Sequence, residues 1–376
     1  MIEYHSFVIR RFYVHNFRCL ENFELNLAGR ASTLLIGNNG SGKSTVAAAL
    51  EVLQKIGSGT NRVKELVSIN DLTRGRSDLP VRFEIDLDIG NHLFGYTIAF
   101  ELPDGFKELR VLDEKLFFDG RPIYTREVAK VHLASAGGDG QADFKIDWHL
   151  VALAIIQQRL PGDPLSVFKQ WLGQMLILRP IPSLISGEST EETLVPDPYV
   201  RHFGAWFSGL IAHAPSAYGT VAQYLQQVIP DLKDITNPKT GPDSRNLVVQ
   251  FATDQGSFHV PFASLSDGEK CYMICALVLA TKAANDPMFC FWDEPDNYLA
   301  LNEVGHFVME LRKAFQSGGQ FVATSHNPEA ISRFSRENTL YLSRRNHLEP
   351  SVVRPLTELP VNGDLISALI RGDVEP

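Results

Sequence analysis

Nine residues, Gly37-Asn38-Asn39-Gly40-Ser41-Gly42-Lys43-Ser44-Thr45, separate two runs of different period. Before them, Ser32 to Ile36 reads as a buried strand. After them, Val46, Ala49, Leu50, Leu53 and Ile56 recur at helical spacing, and Gly57 offers a stop. Glycines let a backbone turn its N–H groups inward, and a helix start adds partial positive charge. Strand, loop and helix in that order match GxxxxGK[ST], a cradle for phosphate oxygens. Gly37, Asn38, Asn39, Gly40, Ser41, Gly42 and Thr45 would form the cradle for ATP. Lys43 would reach the β- and γ-phosphates, and Ser44 would bind Mg²⁺.

The 376-residue chain as a whole is compatible with such a fold. Its 35 Lys+Arg and 44 Asp+Glu give a net charge of -9, with 44% hydrophobic and 21% charged residues. These values suit a soluble globular protein and give no global pull toward nucleic acid, although a local basic groove stays open. No run of 18 apolar residues exists, and Met1 to His5 do not open a signal peptide, so a cytoplasmic protein without a membrane partner is expected. Cys19, Cys271, Cys275 and Cys290 form no CxxC pair, which argues against a structural zinc site.

Organisation follows from period. Phe7 to Tyr13 and Phe23 to Leu27 read as strands. Between Val81 and Leu102, Phe83, Ile85, Leu87 and Ile89 alternate with charges, and the alternation resumes after Gly90-Asn91, predicting an antiparallel hairpin. Asp119-Gly120 predicts another turn. From about Asp147 to Leu232 the pattern is mainly helical, broken by prolines. A hairpin over 247–262 follows, and then buried strands, Met288 to Trp292 and Phe321 to Ala323, flank a helix carrying Val304, Phe307, Val308, Leu311 and Phe315. We expect a head from 1–130 and 245–376, and a mostly helical insertion lobe from 131–244.

Three further motifs carry chemistry. The strand Met288 to Trp292 ends in Asp293-Glu294: the first carboxylate would orient Mg²⁺, and the second would act as general base on water. Leu265-Ser266-Asp267-Gly268-Glu269-Lys270 opens an apolar helix. Ser266 and that helix start form either a second anion site, closing over a nucleotide held by another copy, or an ordinary N-cap with Glu269 in the first turn. In Thr324-Ser325-His326-Asn327-Pro328 a polar cluster ends a buried strand, His326 would lie near the γ-phosphate as a sensor or a positioning donor, and Asn327-Pro328 starts a helix.

The order GNNGSGKST, LSDGEK, FCFWDEP and TSHN, with Asn16-Phe17-Arg18 in the first strand region, resembles the ABC-type ATPase heads of the SMC, RecF and OLD proteins. It is most similar to stand-alone bacterial AAA/RecF-like ATPases, some of them subunits of antiphage defence systems. The likeness covers roughly 7–130 and 245–345. It implies an α/β, P-loop ABC-type ATPase head with a mostly parallel core sheet, an antiparallel β subdomain and a helical insertion. It also implies that Ser266, Gly268 and Glu269 act in trans in a homodimer or higher oligomer, that Asp293, Glu294 and His326 are metal, base and switch positions, and that Arg18 touches nucleotide. The chain departs from the pattern after Pro295, where Ala300 replaces an acid or imidazole. Only Gln157 and Gln158 offer themselves for a Q-loop.

The expected function is ATP binding and slow hydrolysis that regulates a separately encoded effector in phage defence or genome maintenance, with nucleic acid an open partner. A RecF-like DNA clamp and a transporter nucleotide-binding subunit are the alternatives. The 50 residues after His326 are few beside the order of 100 that a nuclease domain needs. The lobe has no HxxxH or CxxC cluster, so ATPase but not nuclease activity is expected of this chain alone.

Overall fold

The computed structural model describes residues 7–134, 142–157, 162–284 and 288–359. Met1 to His5 and Gln158 lie outside the described residues. The chain divides into two compact units, 1–175 with 335–376, and 176–334.

The first unit opens with β1 (Phe7–His15), β2 (Phe23–Asn26) and β3 (Ser32–Ile36), then α1 (Lys43–Gly57) and the short α2 (Val63–Leu66). A meander follows: β4 (Val81–Ile89), β5 (His92–Glu101), β6 (Arg110–Phe118), β7 (Arg121–Glu127), β8 (Lys130–Leu133) and β9 (Ala142–Lys145). Helices α3 (Ala152–Ile155) and α4 (Pro164–Gln174) complete this stretch. Eight strands form one sheet in the order β2-β1-β4-β5-β6-β7-β8-β9, and every neighbouring pair is antiparallel. Short turns dictate this. Gly90, Asp119 and Gly120 take positive φ, as two-residue hairpin loops require. Along β4 buried residues alternate strictly with partly exposed ones, so one face of the sheet is core.

The second unit contains β10 (Leu176–Leu178), β11 (Glu188–Ser189), α5 (Phe203–His213), α6 (Ala217–Val228), β12 (Leu232–Thr236), β13 (Arg245–Asn246), β14 (Val248–Thr253) and β15 (Gly256–Pro261). It continues with α7 (Asp267–Ala284), β16 (Phe289–Trp292), α8 (Leu301–Phe315), β17 (Gln320–Thr324) and α9 (Pro328–Ser332). Strands β10, β16 and β17 pair in parallel. The chain then returns to the first unit, where β18 (Thr339–Ser343) pairs in parallel with β3 and antiparallel with β19 (Val352–Pro355).

The architecture is mixed α/β, with one correction to the expectation of a mostly parallel core. The largest sheet is antiparallel, and it includes β1 and β2. Within the units, parallel pairing is confined to β3–β18 and β10–β16–β17, because only there does a long connection return the chain to the same end. The segment 131–244, expected as a helical lobe, holds α3 to α6 but also β9 to β12, and the division between the units falls inside it.

Candidate nucleotide site

In the first unit, β3 is buried throughout and delivers the chain into the glycine loop. Gly37 has φ 151, and a Cβ there would stand 2.0 Å from the Leu342 carbonyl oxygen of β18. Only glycine fits. Gly42, at φ 107, is the N-cap of α1; a Cβ there would meet Ser351 Oγ and Cys19 Sγ. Gly40 turns at φ 77 with open space above it. Asn38, Asn39, Gly40 and Ser44 are exposed, while Ser41 and Lys43 are buried. The Lys43 ammonium lies inside the loop, donating to the Gly37 carbonyl at 2.8 Å and the Asn38 carbonyl at 3.3 Å.

The Asn16-Phe17-Arg18 turn packs beside this loop. Cys19 Sγ is 3.5 Å from Thr45 Oγ1, and Cys19 O accepts the Ser351 N–H. Asn16 and Arg18 both hold positive φ, an unusual state for residues with side chains. Asn16 explains it: its buried amide donates to the Arg76 and Leu79 carbonyls and accepts the Thr73 N–H. Arg18 is exposed, stacks on Phe17 and donates from Nε to Asp71 at 2.9 Å. Burial would raise the Asp71 carboxyl, but hydrogen bonds from Ser68 and Arg18 outweigh it and lower its pKa.

In the second unit, β16 ends at Trp292, and the next two residues turn against the end of β17. Thr324 Oγ1 donates to Asp293 Oδ1 at 2.6 Å and accepts the Glu294 N–H at 2.9 Å. Glu294 sits at φ 52. Its carboxylate is met by His326 Nε2 at 3.3 Å on one oxygen and by the Asn297 amide on the other. Asp293, Glu294 and His326 are thus gathered at one edge, where the ends of β16 and β17 meet. Ser266 and Glu269 form a capping box at the start of α7: Ser266 N–H and Oγ both donate to Glu269 Oε2 at 2.7 Å, and Ser266 Oγ accepts the Glu269 N–H. Of the two readings of this motif, the N-cap is therefore present. Gly268 lies against the loop after β16, where a Cβ would be 3.1 Å from the Tyr298 carbonyl oxygen. Ala300 is the N-cap of α8 and offers no side-chain acceptor, so Glu303 reaches back to its N–H instead.

Residues 8–94 match the AAA ATPase domain family. Among solved structures, the chain resembles the SMC head domain with an extended coiled coil, bound to the C-terminal domain of ScpA, derived from Pyrococcus furiosus. There the TM-score is 0.51 at 13% identity, over 94% of this chain and 97% of that one. The SMC head domain from Thermotoga maritima aligns at TM-score 0.46 and 13% identity, over 92% and 98%. An SMC head bound to the C-terminal winged-helix domain of ScpA aligns at 0.49 and 15%, over 93% and 98%. Of these three, the Pyrococcus furiosus head alone exceeds a TM-score of 0.5. No curated protein matches the sequence.

Residues 8–94 match an AAA ATPase domain, and the chain has the fold of an SMC head domain.

The loop of this head fits a nucleotide. Ser41 Oγ is buried with no hydrogen-bond partner among the described residues, and no atom stands within 4 Å of where a Cβ on Gly40 would be. The Ser44 hydroxyl in the first unit and the Asp293 carboxylate in the second are each hard oxygen groups of the kind that Mg²⁺ takes as ligands. No group of three His, Cys, Asp or Glu able to hold a metal exists among the described residues, and all four cysteines are buried and free. No helix among them is long and apolar enough to cross a membrane. Thr324, Asn297, Asp296 and Cys19 were not singled out from sequence. Thr324 stood inside a quoted motif, but nothing in a linear pattern marks Cys19 as a neighbour of Thr45.

Proposed function

We propose that the protein is an ATP-gated switch. Two copies close around nucleotide, hydrolyse it slowly, and through that cycle control a separately encoded effector, a nuclease or toxin in phage defence or genome maintenance. The observation that carries this reading is the setting of Glu294. Its backbone is held at positive φ by the Thr324 hydroxyl, and its two oxygens are aimed by His326 and Asn297. A carboxylate fixed in a strained backbone beside an imidazole suits a general base better than a surface turn.

Chemistry then falls to this chain's residues in turn. Asn38, Asn39, Gly40, Ser41, Gly42 and Thr45 wrap the phosphates, and Lys43 exchanges its two loop carbonyls for phosphate oxygens. Ser44 in one unit and Asp293 in the other would each give Mg²⁺ an oxygen ligand, and the ion would neutralise phosphate charge when bound. Glu294 takes the proton of the attacking water, and His326 donates toward the γ-phosphate. Arg18 stands at the rim. Ser266, Gly268 and Glu269 serve the nucleotide of the other copy, the Ser266 hydroxyl turning from Glu269 to phosphate.

The test is Glu294→Gln, whose amide cannot accept the water's proton. With ATP and Mg²⁺, light scattering should show a persistent dimer, and phosphate release should fall by about a hundredfold or more. Turnover at the wild-type rate would make another residue the base. A monomer under all conditions would remove the dimer from the reading.

A further inference from the structure

The loop after β16 and the end of β17 are joined by three polar rungs, of which the reading above uses two. Thr324 serves Asp293 and the Glu294 N–H, and His326 meets Glu294. Ser325 makes the third. Its hydroxyl donates to Asp296 Oδ2 at 2.8 Å, and Ser325 Oγ itself accepts the Asn327 N–H at 2.9 Å. Both side chains are buried, Ser325 at 1% and Asp296 at 4% exposure. Asp296 Oδ1 has no hydrogen-bond partner among the described residues. Burial pushes the Asp296 carboxyl up to about 6, against the opposing hydrogen bond from Ser325. An acid buried with one oxygen unfilled costs stability rather than adding it. Proteins keep such local conflicts mainly at functional sites.

His326 stands between two fixed points. Strand β17 ends two residues before it, and Asn327 one residue after it caps α9, its side chain accepting the Glu329 N–H at 2.9 Å. The Ser325 hydroxyl pins the turn in between from both sides. We propose that Asp296 and Ser325 are positioning residues, which set His326 against Glu294 without touching the reacting atoms themselves. The proposal rests on the reading of Glu294 and His326 as base and switch. An acceptor oxygen at 296 holds the hydroxyl, the hydroxyl holds the Asn327 N–H, and the imidazole between them is left one orientation in which it meets the carboxylate.

Four variants of the full chain test this: Ser325→Ala, Asp296→Ala, their double, and Asp296→Asn, which keeps an acceptor oxygen for Ser325. Each alanine variant should lower kcat about tenfold, with KM and the affinity for a non-hydrolysable ATP analogue unchanged. The double should fall no further than the worse single, because one rung is lost in all three. Asp296→Asn should keep kcat within about threefold. Effects that multiply in the double, a KM effect with kcat intact, or kcat within twofold of wild type in folded Ser325→Ala would each overturn the proposal. If Asp296→Ala does not fold, Ser325→Ala and Asp296→Asn still decide. A wild-type chain that hydrolyses no ATP would instead sink the proposed function. The positioning role is then judged on the His326 ring NMR signals. These should move to one new position in both alanine singles and stay near the wild-type position in Asp296→Asn, and unmoved signals in Ser325→Ala would refute it.

Discussion

At the scale of single residues, Asp296 makes stability depend on pH with a definite sign. Its carboxyl rises from 3.8 to about 6 on folding, mainly by burial. The folded chain therefore binds this proton more tightly than the unfolded chain. Stability falls as pH rises from 3.8 to about 6, and the loss is complete above that window. A shift of this size corresponds to at most about 3 kcal/mol. Asp296→Asn should thus unfold in urea about 1–3 kcal/mol later than wild type at pH 8, with the gain shrinking toward pH 4. A difference that is the same at both pH values would show that the effect is not the charge. Lys43, Ser44, Asp293 and Glu294 were legible in sequence because a local run of strand, loop and helix fixes their surroundings. Asp296 was not, since its burial depends on Ser325, far away in the chain. The hydrogen bonds of Asn16 were not legible either, for the same reason: its partners are Thr73, Arg76 and Leu79.

At the scale of elements, Glu114 shows where alternation fails. Strand β6 carries Asp113-Glu114-Lys115, which reads as a wet stretch, yet Glu114 is fully buried. A bulge is the cause. Asp113 pairs with Ala99 and Val111 with Phe100, so Leu112 is extra and the faces exchange phase there. The buried carboxylate is answered by Tyr96 at 3.0 Å, Tyr124 at 2.7 Å, Arg126, and the N–H groups of Ala152 at 2.7 Å and Leu153 at 2.8 Å. It thereby fastens the first turn of α3 to the sheet, while Arg126 donates to the carbonyls of Val128, Asp147 and Leu150. Burial lowers the Arg126 pKa and raises those of both tyrosines. Glu114→Gln removes the counter-charge and sets an NH₂ among donors. It should cost about 3–5 kcal/mol, and adding Arg126→Met should recover a good part of that. Urea unfolding of the two variants measures both, and a loss under 1 kcal/mol in Glu114→Gln would mean the network contributes little. The regular hairpins β4–β5 and β14–β15 were legible because no bulge interrupts them. Leu176–Leu178 was not, because three apolar residues are as short as a turn of helix.

At the scale of the whole molecule, the glycine loop belongs to one unit and Ser266 to the other, so nucleotide should leave separate marks on each. Binding in the loop needs a single chain. Amides from Gly37 to Val46 should therefore gain hydrogen-exchange protection with an ATP analogue and Mg²⁺ even at high dilution. If Ser266 and the start of α7 act on the nucleotide of another copy, amides from Ser266 to Lys270 should gain protection only as protein concentration rises, in step with dimer formation. Mass action requires this separation, since one event depends on ligand alone and the other on ligand and protein together. The capping box defines the resting state of this mark, because in the single chain it already holds the Ser266 and Glu269 N–H groups, while the Lys270 N–H donates to the Ser266 carbonyl. Lys43→Ala should abolish both marks, and Ser266→Ala only the second. Protection of 266–270 at high dilution, in step with the loop, would mean that α7 responds within its own chain, and the gated dimer would have to be abandoned even if ATP is hydrolysed.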